Sequence, residues 1–171
     1  IFLPMLTFAY SFGSGGIYYN KTTVPNTVEV TYASTSYNSY SGTVTIPNSV
    51  TFLGKTYSVT AIGSNAFQES INLTSISIPN SVTSISNNAF EGCTGLTSVI
   101  IPTSVTSISG GAFLGCTSLT SINIPASVTY IGVNPFIGCT GLTSISVNAS
   151  NPGYSSQNNV LFNKNKTILV C

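Results

Sequence analysis

Three consecutive segments of this chain are near copies of one another. LTSISIPNSVTSISNNAFEGCTG occupies 73–95, LTSVIIPTSVTSISGGAFLGCTS 96–118 and LTSINIPASVTYIGVNPFIGCTG 119–141. Each is 23 residues long, and the first two agree at 16 of 23 positions. A fourth copy begins at Leu142 with LTSISV and then departs. An earlier unit fits the same frame as SGTVTIPNSVT at 41–51 and AIGSNAF at 61–67, with an insertion, FLGKTYSVT, at 52–60. A fixed period of this size restricts the chain to a stack of like units, because one unit alone cannot bury its apolar residues.

Stacking sets Phe67, Phe90, Phe113 and Phe136 in one column and Leu73, Leu96, Leu119 and Leu142 in another. Ile76, Val99, Ile122 and Ile145 form a third, and Val82, Val105 and Val128 a fourth. Within a unit, L-x-x-I-x-I-P reads as a short strand. Period-two alternation turns Ile76 and Ile78 inward and Ser75 and Ser77 outward. Pro79, Pro102 and Pro125 close these strands, since proline has no N–H for the ladder. S-V-T-S-I predicts a second extended segment, and N-A-F-x-G-C-T a helical or 3₁₀ return turn. The expected fold class is a β-rich solenoid of 23-residue coils with short parallel strands and little regular helix.

The frame I-P-x-S-V-T-x-I-x-x-x-A-F-x-G-C-x-x-L-T-x-I resembles the BspA-type (Treponema pallidum-type) leucine-rich repeat. IYYN at 17–20, VEVTY at 28–32 and GKTYSVTAIGSNAF at 54–67 are similar to the opening of that family, and NPGYSSQNNVLFNKNKTILV at 151–170 to a hairpin insertion found in it. The sequence departs at Ser70, which stands where later repeats have Cys, and at Gln157-Asn158-Asn159, where an Asp-Gly turn is usual. The implied organisation is an N-terminal β cap at 17–40, a leucine-rich-repeat solenoid at 41–147 and a C-terminal hairpin insertion at 148–171. The resemblance implies an extracellular or cell-surface protein that binds other proteins, matrix or cells. The fold itself does not fix a ligand.

Only 4% of residues are charged, His, Arg, Asp and Trp are absent, and the formal net charge is +1. That total offers no electrostatic footprint for nucleic acid or an anionic membrane. A net charge near zero also favours association. No run of apolar residues is long enough for a transmembrane span. Residues 1–16 open with IFLPMLTFAYSF and continue into Gly13-Ser14-Gly15-Gly16. They read either as a retained apolar arm or as the remnant of a signal peptide. As an arm, Ile1, Leu3 and Met5 form one face and Phe2, Leu6 and Phe8 the other, both candidates for self-assembly into a homo-oligomer or filament.

General acid–base chemistry needs a positioned His or carboxylate. The carboxylates here are Glu29, Glu69 and Glu91, the last two on nearly equivalent turns of adjacent coils, where they read as exposed like charges. Cys93, Cys116 and Cys139 recur every 23 residues. A column of single thiols does not converge on a zinc ion, and no His stands ready to activate a nucleophile. These cysteines read as structural buried thiols, with a disulfide between neighbouring coils as the alternative. No enzymatic activity, metal or cofactor is expected. Asn20, Asn72, Asn148 and Asn165 head N-x-[ST] sequons and are candidate glycosylation sites. The outward strand positions Ser75, Ser77, Ser98, Ile100, Ser121, Asn123, Ser144 and Ser146 form the best candidate binding strip. Tyr10, Tyr18, Tyr19, Tyr32, Tyr37, Tyr40 and Tyr57 gather near the cap, as a second recognition surface or as cap packing.

Overall fold

The computed structural model describes residues 10–33 and 38–165. The candidate self-assembly residues Ile1, Phe2, Leu3, Met5, Leu6 and Phe8 lie outside the described residues, as do Tyr37 and Cys171.

The chain opens with three antiparallel strands, β1 (Phe12–Ser14), β2 (Ile17–Lys21) and β3 (Thr27–Thr31). Then follow β4 (Gly42–Thr45) and the hairpin of β5 (Ser49–Phe52) with β6 (Lys55–Ile62). The inserted residues 52–60 of the sequence frame are thus the tip and second arm of this hairpin. The coils contribute β7 (Leu73–Ser77), β8 (Ser84–Ile85), β9 (Ser98–Val99), β10 (Ser107–Ile108), β11 (Ser121–Ile124), β12 (Tyr130–Ile131) and β13 (Ser144–Val147). A closing hairpin pairs β14 (Tyr154–Gln157) with β15 (Val160–Asn163).

Parallel pairing in register with the repeat builds the stack. One sheet runs β1-β2-β3-β6-β8-β10-β12, with β5 also paired to β6. In it Ile62, Ile85, Ile108 and Ile131 are successive partners. The second side of the solenoid is β4-β7-β9 followed by β11-β13, where Ser75 pairs with Ser98 and Ser121 with Ser144. The expectation of a strand-built solenoid with short parallel strands is borne out.

The third side differs in part from the expectation. N-A-F-x-G-C-T forms no regular helix; it closes in turns, with i→i+3 bonds from the N–H of Gln68 to the Asn65 carbonyl and from Ser70 to Phe67. Asn65 and Glu69 take φ of 59° and 56°, and left-handed residues four positions apart break a helical path. Instead, the N–H groups of Asn65, Phe67 and Glu69 bond across to the carbonyls of Asn87, Ala89 and Glu91 in the next coil. The same ladder recurs from Asn88, Phe90 and Gly92, and again from Gly111, Phe113 and Gly115. Alternate backbone N–H groups are thus satisfied between coils, and the intervening ones by local turns.

The core follows the columns. Phe67, Phe90 and Phe113 are fully buried, and successive rings to Phe136 stack at 5.0, 5.1 and 5.5 Å between centroids. Tyr40 closes the column against Phe67 at 4.5 Å, and its hydroxyl donates to the Thr31 carbonyl while accepting the Tyr18 N–H at 3.2 Å. Leu73, Leu96 and Leu119 are likewise fully buried.

Candidate functional site: an outward hydroxyl face

The alternation of β7, β9, β11 and β13 sends every apolar column into the core and leaves small polar residues outside. Ser77, Ser98, Ile100, Ser121, Asn123, Ser144 and Ser146 are exposed, and Ser75 is half-buried. All eight strip residues fall on this one side of the stack. The face extends further toward the N-terminus. Thr43 and Thr45 on β4 pair with Ser75 and Ser77 and are exposed. The T-V-T of SGTVTIP already carried that signal, because it occupies the same frame as S-I-S.

A threonine column borders the face. Thr97, Thr120 and Thr143 donate Oγ1 to the carbonyl of the threonine one coil earlier, at 3.4, 3.4 and 3.2 Å. A second column, Thr83, Thr106 and Thr129, does the same along β8, β10 and β12. These bonds hold each side chain in one rotamer. Ser146 Oγ donates to Asn123 Oδ1 at 3.0 Å. Ile100, 81% exposed, is the single large apolar side chain of the strip. At the N-terminal end the face adjoins a cleft of about 290 Å³ lined by Gly15, Gly16, Tyr40, Ser41, Thr43 and Thr45. Such a surface offers ordered donors and acceptors without charge.

The other candidate residues are placed elsewhere. Glu29 sits half-buried on β3, and burial raises its carboxyl above the usual range. Glu69 and Glu91 are not simply facing like charges, for Gln68 Nε2 donates to Glu91 Oε2 at 2.7 Å. Among the described residues no group of three or more His, Cys, Asp or Glu is arranged to hold a metal ion.

Cys93, Cys116 and Cys139 are buried and free. Their thiols donate to the carbonyls of Phe67, Phe90 and Phe113 at 3.0, 3.1 and 3.0 Å. Burial pushes the Cys93 thiol up to about 12. The Cys139 contact and burial hold the Cys116 thiol far above its ordinary value.

Of the sequon residues, Asn72, Asn148 and Asn165 are exposed and Asn20 is half-buried. Asn148 Oδ1 accepts the Ser150 N–H at 2.9 Å within its own sequon. Tyr19, Tyr40 and Tyr57 are buried in the cap, whereas Tyr10, Tyr18 and Tyr32 remain half-buried.

Sequence reasoning missed one polar residue. Asn151 is 1% exposed, and its Nδ2 donates to the carbonyls of Pro125 and Val128 at 2.7 and 2.9 Å. Its Oδ1 accepts the N–H groups of Gly153 and Tyr154. Asn151 lies 23 residues after Val128, so a polar residue in the valine column was the available signal.

Comparisons with known proteins place this geometry. A sequence profile of the BspA type leucine rich repeat region matches residues 60–168 as six copies. A leucine-rich repeat protein from Bacteroides capillosus is 31% identical, with 81% of this chain and 98% of that one covered and a TM-score of 0.69. One from Bacteroides ovatus is 30% identical over 80% of this chain and 47% of its own, with a TM-score of 0.56. The T. pallidum leucine-rich repeat protein shares the fold at 21% identity, with 79% and 70% covered and a TM-score of 0.60. A search of curated proteins finds no significant match.

Proposed function

Because the chain belongs to the BspA-type leucine-rich-repeat family, we propose that it is a non-catalytic extracellular interaction module. It engages a protein or matrix partner across the outward face of β4, β7, β9, β11 and β13. The observation that carries this reading is the continuity of that face. Five strands present uncharged hydroxyls around the exposed Ile100, with neighbouring threonine rotamers held by bonds to the backbone. Ordered side chains lose little freedom on binding, which offsets the lack of a large aromatic anchor. The test is retention on a surface coated with solubilised extracellular matrix. Ile100→Glu lowers retention about tenfold, while Tyr130→Glu on the opposite sheet leaves it unchanged. Equal retention of wild type and Ile100→Glu rules out this face.

Self-assembly into an extracellular filament is the second reading, and the last coil favours it. Among the described residues nothing accepts the N–H groups of Asn134, Phe136 and Gly138, whose counterparts in earlier coils bond to the coil that follows. Val133 and Ile137 beside them are 76% and 51% exposed. An unpaired ladder edge with exposed apolar residues is a template for a further strand, from a later segment of this protein or from another copy. Deleting residues 1–12, and separately Ile137→Lys, distinguishes an arm-mediated contact from an edge contact by light scattering and electron microscopy. A monomeric wild type excludes both.

A further inference from the structure

Leu53 is 88% exposed, more than any other large apolar side chain of the described residues. It opens the two-residue turn between β5 and β6, with φ of 50°, and Gly54 follows at 74°. A turn with two left-handed residues prefers Asn-Gly. The chain observes that preference elsewhere: the β14–β15 turn is Asn158-Asn159, and among the described residues six of the eight non-glycine residues at positive φ are Asn. A leucine at this position strains the backbone and hides almost none of its own surface.

Two lysines flank the turn. Lys21 ends β2 and Lys55 begins β6, far apart in sequence, yet both ammonium groups lie 5.6 Å from the Tyr57 ring centroid. Lys21 also lies 5.9 Å from the centroid of Phe52. Phe52 in turn stacks on Phe12 at 4.4 Å with 7° between the rings, which fixes the hairpin to the cap. A chain with only four cations thus sets two of them beside its most exposed leucine.

We propose that this hairpin tip is a weak anchor for an anionic phospholipid surface. Leu53 enters the boundary between headgroups and acyl chains, and Lys21 and Lys55 face the phosphates. The composition of the tip favours lipid over a protein pocket. Lysine is depleted in protein interfaces and leucine is under-represented among their hot spots. An apolar tip beside lysines whose ammonium groups lie over aromatic rings suits the edge of a bilayer. The local field depends on where the fold brings charges together and not on net charge alone. One tip binds weakly, and copies displayed on a common surface add avidity.

The test is co-sedimentation of the full chain with vesicles at millimolar lipid, either neutral phosphatidylcholine or 3:1 phosphatidylcholine to phosphatidylglycerol. Wild type sediments with the anionic vesicles alone, and added salt releases it. Leu53→Asn suits the turn better, so it keeps or raises the melting temperature while binding falls at least fivefold. Lys21→Gln with Lys55→Gln causes a similar loss. The chain has no tryptophan, so Leu53→Trp is a single reporter whose emission shifts to the blue on anionic vesicles. Equal binding of wild type and Leu53→Asn overturns the proposal. So do equal binding to both vesicle types and absence of sedimentation with either.

Discussion

The Sγ of Cys116 donates a hydrogen bond to the carbonyl oxygen of Phe90 at 3.1 Å, one coil away and 26 residues earlier. The same bond recurs at Cys93 and Cys139, so the thiol column fastens each return turn to the coil before it. Ser70 occupies the equivalent place in the first coil, and its buried hydroxyl has no partner among the described residues. A structural role for the thiols predicts their order of reaction. Cys139, 9% exposed, reacts first with iodoacetamide, and the fully buried Cys93 and Cys116 react only on unfolding. Cys116→Ala costs about 1–2 kcal/mol, since Phe90 O loses one of its donors and a small cavity opens. Mass mapping of alkylated peptides and denaturant titration check both. Rapid labelling of all three thiols in the folded protein contradicts the role.

Stability falls in alkali and is little affected by acid. The Cys93 thiol moves from 9.0 to about 12 in the fold, and the Tyr19 phenol from 10.0 to about 12, both through burial. The unfolded chain therefore releases these protons first as pH rises. Their contribution is fully present below about pH 9 and is lost as pH climbs toward about 12. Glu29 is also raised by burial, so its protonation in mild acid supports the fold. Melting temperature is level or slightly higher from pH 7 down to 5, and declines from about pH 9–10 upward. Calorimetry across that range is the check, and a decline confined to the acid side contradicts it.

Interior rings of the phenylalanine column matter more than the terminal one. Phe113 is stacked on both sides, at 5.1 and 5.5 Å, whereas Phe136 has a ring neighbour on one side. Phe113→Ala costs about 3–5 kcal/mol and Phe136→Ala less, because the terminal cavity opens toward solvent. Urea unfolding of the two variants tests the order.

Asn151→Ala strips two carbonyls and two N–H groups of their partner at once. Leaving such groups unpaired in a buried corner costs roughly 2–4 kcal/mol. Amide exchange of Gly153, Tyr154 and Ile131 accelerates in the variant, since the Tyr154 hydroxyl accepts the Ile131 N–H at 2.7 Å only while the closing hairpin stays docked. Unchanged exchange at Ile131 argues against a capping role.

Glu69→Gly stabilises the chain. Glu69 holds φ of 56° at a position where the next three coils have Gly92, Gly115 and Gly138 at 69°, 71° and 74°. Relief of the left-handed strain outweighs the added freedom of glycine in the unfolded chain, by about 0.5–1 kcal/mol. Thermal melts show a rise of a few degrees, and a fall shows that the Glu69 carboxylate contributes more than its strained backbone.

Much of the fold was legible because each repeat reports on the others. Phe90 and Phe113 share a column only if consecutive coils stack in register, and the outward serines follow from strand alternation. The return segment reads as a helical or 3₁₀ turn; it keeps local i→i+3 bonds but forms no regular helix, because alternate N–H groups reach carbonyls of the next coil, which A-F-x-G-C does not reveal locally. Of the candidate surface, Thr43 and Thr45 could have been found from the frame. Asn151 needed the frame carried past the point where the copies end.

The sequence by itself determined the period, the buried columns and the side of the stack that carries Ser98, Ile100 and Ser121. Those features repeat, and identical short-range patterns impose them coil after coil. Tertiary structure alone decided that Lys21 meets Lys55 over Tyr57, that Leu53 projects, and that Asn151 plugs the valine column. The physical reason is that these contacts join residues with no repeat relation, through hairpins whose docking depends on Phe12 stacking on Phe52 and Tyr154 reaching Ile131. Packing of that kind depends on shape and distance in three dimensions, which a one-dimensional period does not encode.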